Sequence, residues 1–203
     1  MIEIGVCCLL FVLHVWILLF HKQKMGSDQS DSPQDPIFSK MNQHFSFFNV
    51  LSTHAVFAYR RISIRYEMPV FDFLNFGAVL PADYFTLTAG TIVFMAGLLL
   101  RVWAIRILGR FFTFEIGIRK EHALIQEGPY KLLRHPSYTG YLLMLVGAGI
   151  SLASIFSVVA LVAPVMVFLI LRMNHEESML LKHFGDNYRA YQLQTKKIIP
   201  FVY

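Results

Sequence analysis

From Tyr138 to Leu171 the chain carries no charged side chain. A single crossing of a bilayer takes about 20 residues, so this run is too long for one span and must fold back on itself. Gly140, Gly147, Gly149, Ser151 and Ala153 lie within it, and small residues let helix backbones approach closely. The expectation is two short helices over Tyr138 to Met173, packed as a hairpin that turns near Ala153 and Ser154. A dinucleotide-binding role for Gly147 and Gly149 fails, because no strand precedes them.

The other apolar runs give the frame. Ile2 to Phe20 is largely apolar and lacks the basic start and small-residue cleavage site of a signal peptide; it reads as a retained first span. Residues 21–44 hold Ser27, Asp28, Ser30, Asp31, Ser32, Pro33, Asp35 and Pro36, a polar linker unable to bury a core. Phe45 to Ile64 is aromatic-rich but contains Asn49, His54, Arg60 and Arg61, and is read as a tilted second helix, with an interfacial or re-entrant helix as the rival. Residues 65–82 connect, with Pro69 and Pro81 as breakers. Tyr84 to Leu108 is the third span, with Arg101 and Arg106 expected to snorkel to the interface near its end.

The predicted fold class is therefore an all-α integral membrane protein of about five transmembrane helices. Residues 1–82 form an N-terminal transmembrane region around the 21–44 linker, and residues 83–203 form a second domain. Hydrophobic residues make up 56% of the chain and charged ones 15%, against about 25% charged in soluble domains. The net charge of +5 comes from lysines and arginines at the ends of apolar runs. That pattern fits positive-inside anchoring rather than a nucleic-acid stripe. Five spans put 21–44, 109–136 and 174–203 on one side, the cytoplasmic one by its excess of Lys and Arg. Arg60, Arg61 and Arg65 then fall on the other side, against the rule. Cys7 and Cys8 are adjacent and poorly placed to bridge each other. The C-terminal Phe201-Val202-Tyr203 is no prenylation box.

Two polar clusters abut the apolar runs. Arg172 and Glu176 are four apart, on one helical face, with His175 and Glu177 beside them. They form either an ordinary helix-stabilising pair at the interface or ligand-binding charges, the arginine as a carboxylate clamp. In Arg134-His135-Pro136-Ser137-Tyr138, the proline restricts His135 to extended geometry before a helix start. That turn is either a cap with a solvated histidine or a site where free N–H groups meet a carboxylate. His122, His135, His175 and His183 show no metal-ligand spacing, so no metal is expected. Nucleophile elbow, phosphate loop and His-Glu-x-x-His are absent from the sequence. Chemistry needing neither nucleophilic side chain nor metal fits best. Methyl transfer to a carboxylate, ionised near neutral pH, requires only alignment of the reactants.

At these residues the chain resembles the isoprenylcysteine carboxyl methyltransferase family, within the wider group that includes phospholipid N-methyltransferases. The resemblance covers roughly residues 83–203. It rests on Leu108-Gly109-Arg110-Phe111-Phe112-Thr113, His122 through Tyr130, Arg134-His135-Pro136-Ser137-Tyr138-x-Gly140, Arg172-x-x-x-Glu176-Glu177 and Phe184-Gly185-x-x-Tyr188-x-x-Tyr191. It implies an enzyme of the endoplasmic reticulum membrane that uses S-adenosyl-L-methionine to methylate the carboxylate of a C-terminal prenylated cysteine. It implies cofactor contacts at Glu115, His122, Ala123, Leu124, Ile125, Tyr130, His135, Pro136, Ser137, Tyr138, Glu176 and Glu177. Arg172 would engage the substrate carboxylate. Glu115 stands where relatives often have glutamine. The cofactor would enter from the cytoplasm under a cap formed by 174–203, and the prenyl chain from the bilayer. Alternatives are another lipid acceptor such as a phospholipid amine, a sterol-reductase-like enzyme, for which the chain is short, and a non-catalytic lipid-binding membrane protein.

Overall fold

In the computed structural model the described residues are 84–112 and 122–199, together with the helical positions 54, 55, 58 and 62. The first predicted span, the linker, Glu115 and the 45–82 region apart from those four positions lie outside them. Among the described residues from Tyr84 onward, four α-helices follow one another: α1 (Tyr84–Leu108), α2 (Pro136–Ser151), α3 (Ile155–Phe184) and α4 (Asp186–Gln194). Short 3-10 turns occur at Gly109–Phe111 and Gly128–Lys131. The described residues contain no β-strand, only an isolated parallel bridge between Leu133 and Lys196. By length and composition, α1 and α3 are each able to cross a membrane; α2, with 16 residues, spans only about 24 Å.

Close backbone approach joins α1 to α2. The buried side of α1 carries Thr86, Gly90, Phe94, Gly97 and Ala104, and α2 meets it antiparallel with Gly140 and Gly147. A Cβ built on Gly97 would lie 2.6 Å from the Gly140 carbonyl oxygen, and one built on Gly90 2.6 Å from that of Gly147. No side chain fits at these crossings. The glycines forgo helix propensity, and in return the two backbones pack at van der Waals distance, the contact that holds helices together in lipid.

The hairpin turn falls where the small residues placed it. Ala153 takes a positive φ of 53°, and Ser154 caps α3 by accepting the Ser157 N–H at 3.3 Å. Met144, Leu145, Leu161, Val165, Leu169 and Met173 fill the core between α2 and α3. One expectation is corrected here. The second arm of the hairpin is not short, because α3 continues through the polar Asn174-His175-Glu176-Glu177 stretch for 30 residues to Phe184. A helix already nucleated by its apolar part propagates through polar residues at low cost, and Glu176 and Glu177 favour it. Gly185, with φ of 55° and ψ of −125°, ends α3 in a conformation open chiefly to glycine. Arg101 is a second correction. Its guanidinium does not snorkel outward but donates to the Ser137 carbonyl at 3.0 Å and Oγ at 3.3 Å and lies 5.2 Å above the Tyr141 ring.

Candidate active site

The site forms where the start of α2 meets the polar end of α3. Pro136 opens α2 and His135 is its N-cap; the N–H groups of Tyr138 and Thr139 donate to the His135 carbonyl at 3.0 and 3.1 Å. His135 is thereby fixed and buried, its ring stacked on Tyr138 with centroids 5.4 Å apart. Its Nε2 lies 3.2 Å from Glu177 Oε1 and its Nδ1 3.8 Å from Glu176 Oε2.

Tyr138 joins the two ends of the helix-face motif. Its hydroxyl accepts from Arg172 Nε at 2.7 Å and donates to Glu176 Oε2 at 2.9 Å. The i, i+4 spacing therefore does not act as a direct ion pair: a phenol from the neighbouring helix stands between guanidinium and carboxylate. Arg172 is 8% exposed, and charge that deep is costly without such partners.

The C-terminal end of the described chain is strapped across this turn. Arg134 N–H donates to the Lys196 carbonyl at 2.8 Å and His135 N–H to that of Lys197 at 3.0 Å. The Arg134 side chain bonds Glu177 Oε1 at 2.7 Å and the carbonyls of Gln192 at 3.2 Å and Thr195 at 2.6 Å. Tyr191 donates to the Tyr130 carbonyl at 2.8 Å, and Thr139 Oγ1 to that of Ile198, also at 2.8 Å. Burial pushes the Tyr130, Tyr188 and Tyr191 phenols well above the usual range, so all three keep their protons as donors. Glu177 is the hub, since Gln192 Nε2 at 3.2 Å and Lys197 Nζ at 3.5 Å also reach it. Breaking a buried ionic hub by removing one partner costs about 3–5 kcal/mol. Glu177→Ala should therefore lower the thermal unfolding midpoint in detergent; an unchanged midpoint would show that the strap does not depend on it.

Between turn, strap and α1 lies a cleft of about 880 Å³, its open mouth included. Of the predicted positions it is lined by His122, Ala123, Leu124, Ile125, Tyr130, His135, Ser137, Tyr138 and Glu176. Pro136, Arg172 and Glu177 are not on its wall: Pro136 is packed at the start of α2, Glu177 is held by the strap, and Arg172 touches the site through Tyr138. Glu115 lies outside the described residues. The wall also includes Leu108, Phe111, Phe112, Arg134, Tyr188 and Tyr191, which sequence reasoning did not place in a site. The Phe184-Gly185-x-x-Tyr188-x-x-Tyr191 pattern was the available signal, since its tyrosines share one face of α4 and both are buried.

The lining combines aromatic and aliphatic side chains with a carboxylate, an imidazole and phenols, the mixture of apolar surface and a few placed polar groups typical of small-molecule sites. The comparisons agree with a membrane methyltransferase. The family described as phospholipid methyltransferase matches residues 85–187, and the chain belongs to that family. Within it the similarity is to isoprenylcysteine O-methyltransferases. Protein-S-isoprenylcysteine O-methyltransferase B of Arabidopsis thaliana is 38% identical over 115 residues, 56% of this chain and 58% of that protein. The Dictyostelium discoideum protein-S-isoprenylcysteine O-methyltransferase is 24% identical over 201 residues, 98% of this chain and 76% of that one. Among solved structures, a eukaryotic intramembrane Ras methyltransferase, isoprenylcysteine carboxyl methyltransferase, aligns with TM-score 0.64 and 28% identity, over 75% of this chain and 52% of that chain. The matched stretch spans just over half the length of the Arabidopsis relative.

Proposed function

We propose that the protein is an integral membrane enzyme that methylates the C-terminal carboxylate of a prenylated cysteine, with S-adenosyl-L-methionine as donor. The observation that carries this reading is the Arg172–Tyr138–Glu176 chain. It sets a buried guanidinium on one side of a phenol and a cleft-facing carboxylate on the other. The cleft suits the donor: Phe111, Phe112 and Ile125 offer an apolar face for a nucleobase, while Glu176 faces the cavity with its side chain one-third exposed at 34%. When bound, S-adenosyl-L-methionine supplies a methyl group on a sulfonium, which an ionised carboxylate oxygen takes up with no proton to remove.

The chain's own residues then have separable tasks. Glu176 places negative charge beside the cationic donor. Arg172 presents N–H groups to the acceptor's carboxylate. Tyr138 holds both in register. Relatives named for isoprenylcysteine O-methylation and the intramembrane neighbour support the same acceptor class and a membrane location. The endoplasmic reticulum, a cytoplasmic opening of the cleft and a five-helix count are parts of this proposal. So are the roles of Glu115 and of 1–82 as a separate N-terminal region ahead of a catalytic 83–203. A phospholipid amine is the competing acceptor. A neutral amine needs a base, whereas a guanidinium at the acceptor position favours an anion. Purified protein incubated with labelled donor should label N-acetyl-S-farnesylcysteine and not phosphatidylethanolamine; the reverse pattern would overturn the reading.

Glu176→Ala should weaken donor binding by about tenfold, the scale of one charge-assisted contact. Calorimetric titration with S-adenosylhomocysteine and S-adenosyl-L-methionine checks it. The cationic donor should lose more than the uncharged thioether, and unaltered affinity for both would remove Glu176 from the site.

A further inference from the structure

Two hydrogen-bond donors in the cleft are unused among the described residues. Arg134 spends Nε on Glu177 and Nη1 on the strap carbonyls. Among the described residues its Nη2 makes no hydrogen bond. Tyr188 is 1% exposed and packs its ring against Tyr191, centroids 5.9 Å apart. Its hydroxyl likewise has no hydrogen-bond partner among the described residues, yet it is not sealed from the cavity. Both side chains line the same cleft. Neither atom is sealed in the protein interior, so both donors face the cleft and are left for whatever occupies it. Because burial keeps the Tyr188 phenol protonated, it can only help an acceptor here by donating.

A guanidinium edge and a phenol together suit an oxyanion, and on a methyl donor ending in an amino acid that oxyanion is a carboxylate. On the same wall, Glu176 has Oε2 engaged by Tyr138 and Oε1 without a partner among the described residues, an acceptor suited to an ammonium. Resting on the donor reading above, we propose that Arg134 Nη2 and the Tyr188 hydroxyl form the subsite for the α-carboxylate of the methyl donor's amino-acid end. The nucleoside then lies toward Phe111 and Phe112. This subsite is separate from the acceptor carboxylate position at Arg172, so the protein holds two carboxylates with two different arginines.

Arg134 also ties down the strap, so the clean variant is Tyr188→Phe, which removes an oxygen that bonds nothing among the described residues. Binding of two ligands is compared by calorimetry on the purified full chain. One is S-adenosylhomocysteine; the other is 5′-(3-aminopropylthio)adenosine, which lacks only the carboxylate. Tyr188→Phe should weaken S-adenosylhomocysteine about tenfold, leave the decarboxylated ligand within about twofold, and leave the unliganded melting midpoint unchanged. Equal affinity for S-adenosylhomocysteine in both proteins overturns the inference. So does an equal loss for both ligands, or a drop in the unliganded midpoint that accounts for the loss. If the unsubstituted protein binds neither ligand, the donor reading itself has failed and this inference with it; binding by the unsubstituted protein with no effect of the substitution rejects the subsite alone.

Discussion

Replacing Arg172 by alanine should lower turnover on a prenylcysteine acceptor by at least about a hundredfold, with donor affinity held within about threefold. The split follows from the geometry. Arg172 is off the cleft wall, and it meets the wall residue Tyr138 by an Nε–hydroxyl bond and by stacking over its ring. With the guanidinium gone, Tyr138 still donates to Glu176 Oε2 at 2.9 Å, so the donor side of the site survives. What disappears is the cation proposed to orient the acceptor's anion. Arg172→Lys should recover little, because a point charge on a flexible stem cannot supply the planar fork. Steady-state kinetics with N-acetyl-S-farnesylcysteine and calorimetry with S-adenosylhomocysteine read the two halves. Parallel loss of both would make Arg172 a support for the donor pocket, and unchanged turnover would remove it from the mechanism.

The second large effect is on folding. Gly147→Val should destabilise the α1–α2 pair by on the order of 3 kcal/mol or more, because a Cβ at Gly147 would meet the Gly90 carbonyl oxygen at 2.6 Å. Backbone cannot move aside as a side-chain tip can, so the two helices must separate. That separation would pull Arg101 from Ser137 and Tyr130 from the Ala104 carbonyl, which its hydroxyl meets at 3.3 Å. Activity should therefore fall together with the thermal midpoint. Gly109→Ala is the contrast: Gly109 has φ of +52° but nothing within 4 Å of a built Cβ, so its cost is backbone strain alone, about 1 kcal/mol. Equal midpoints for Gly147→Val and the unsubstituted protein would show that the glycine crossing is not what joins α1 to α2.

Much of this arrangement could be read from residue order. The uncharged run from Tyr138 to Leu171 demanded a hairpin, and its small residues located the turn at Ala153 and Ser154. Proline after His135 announced the helix start, although His135 takes φ of −125° and ψ of 55° rather than the extended geometry expected. Nine of the residues the family resemblance named lie together on one cleft wall. The rest depended on contacts between segments far apart in sequence. Nothing in Arg172-x-x-x-Glu176 indicates that Tyr138, from another helix, would stand between them. Spacing alone could not say whether Arg101 would reach for water or for the Ser137 carbonyl, since a long side chain reaches either. Arg134 was legible as a charge near a turn, yet its partners Gln192 and Thr195 lie about sixty positions away and were chosen by the strap. Glu177 looked like a twin of Glu176. One residue's rotation, about 100° around the helix, sends the first into the strap and the second into the cleft.

The most direct measurement is the chemical nature of the methyl product. Purified protein, labelled S-adenosyl-L-methionine and N-acetyl-S-farnesylcysteine should yield label that mild alkali releases as volatile methanol, the mark of a carboxyl methyl ester, and Arg172→Ala should abolish it. Label that resists alkali, or that appears only on an amine-bearing phospholipid, would contradict a carboxylate acceptor held at Arg172.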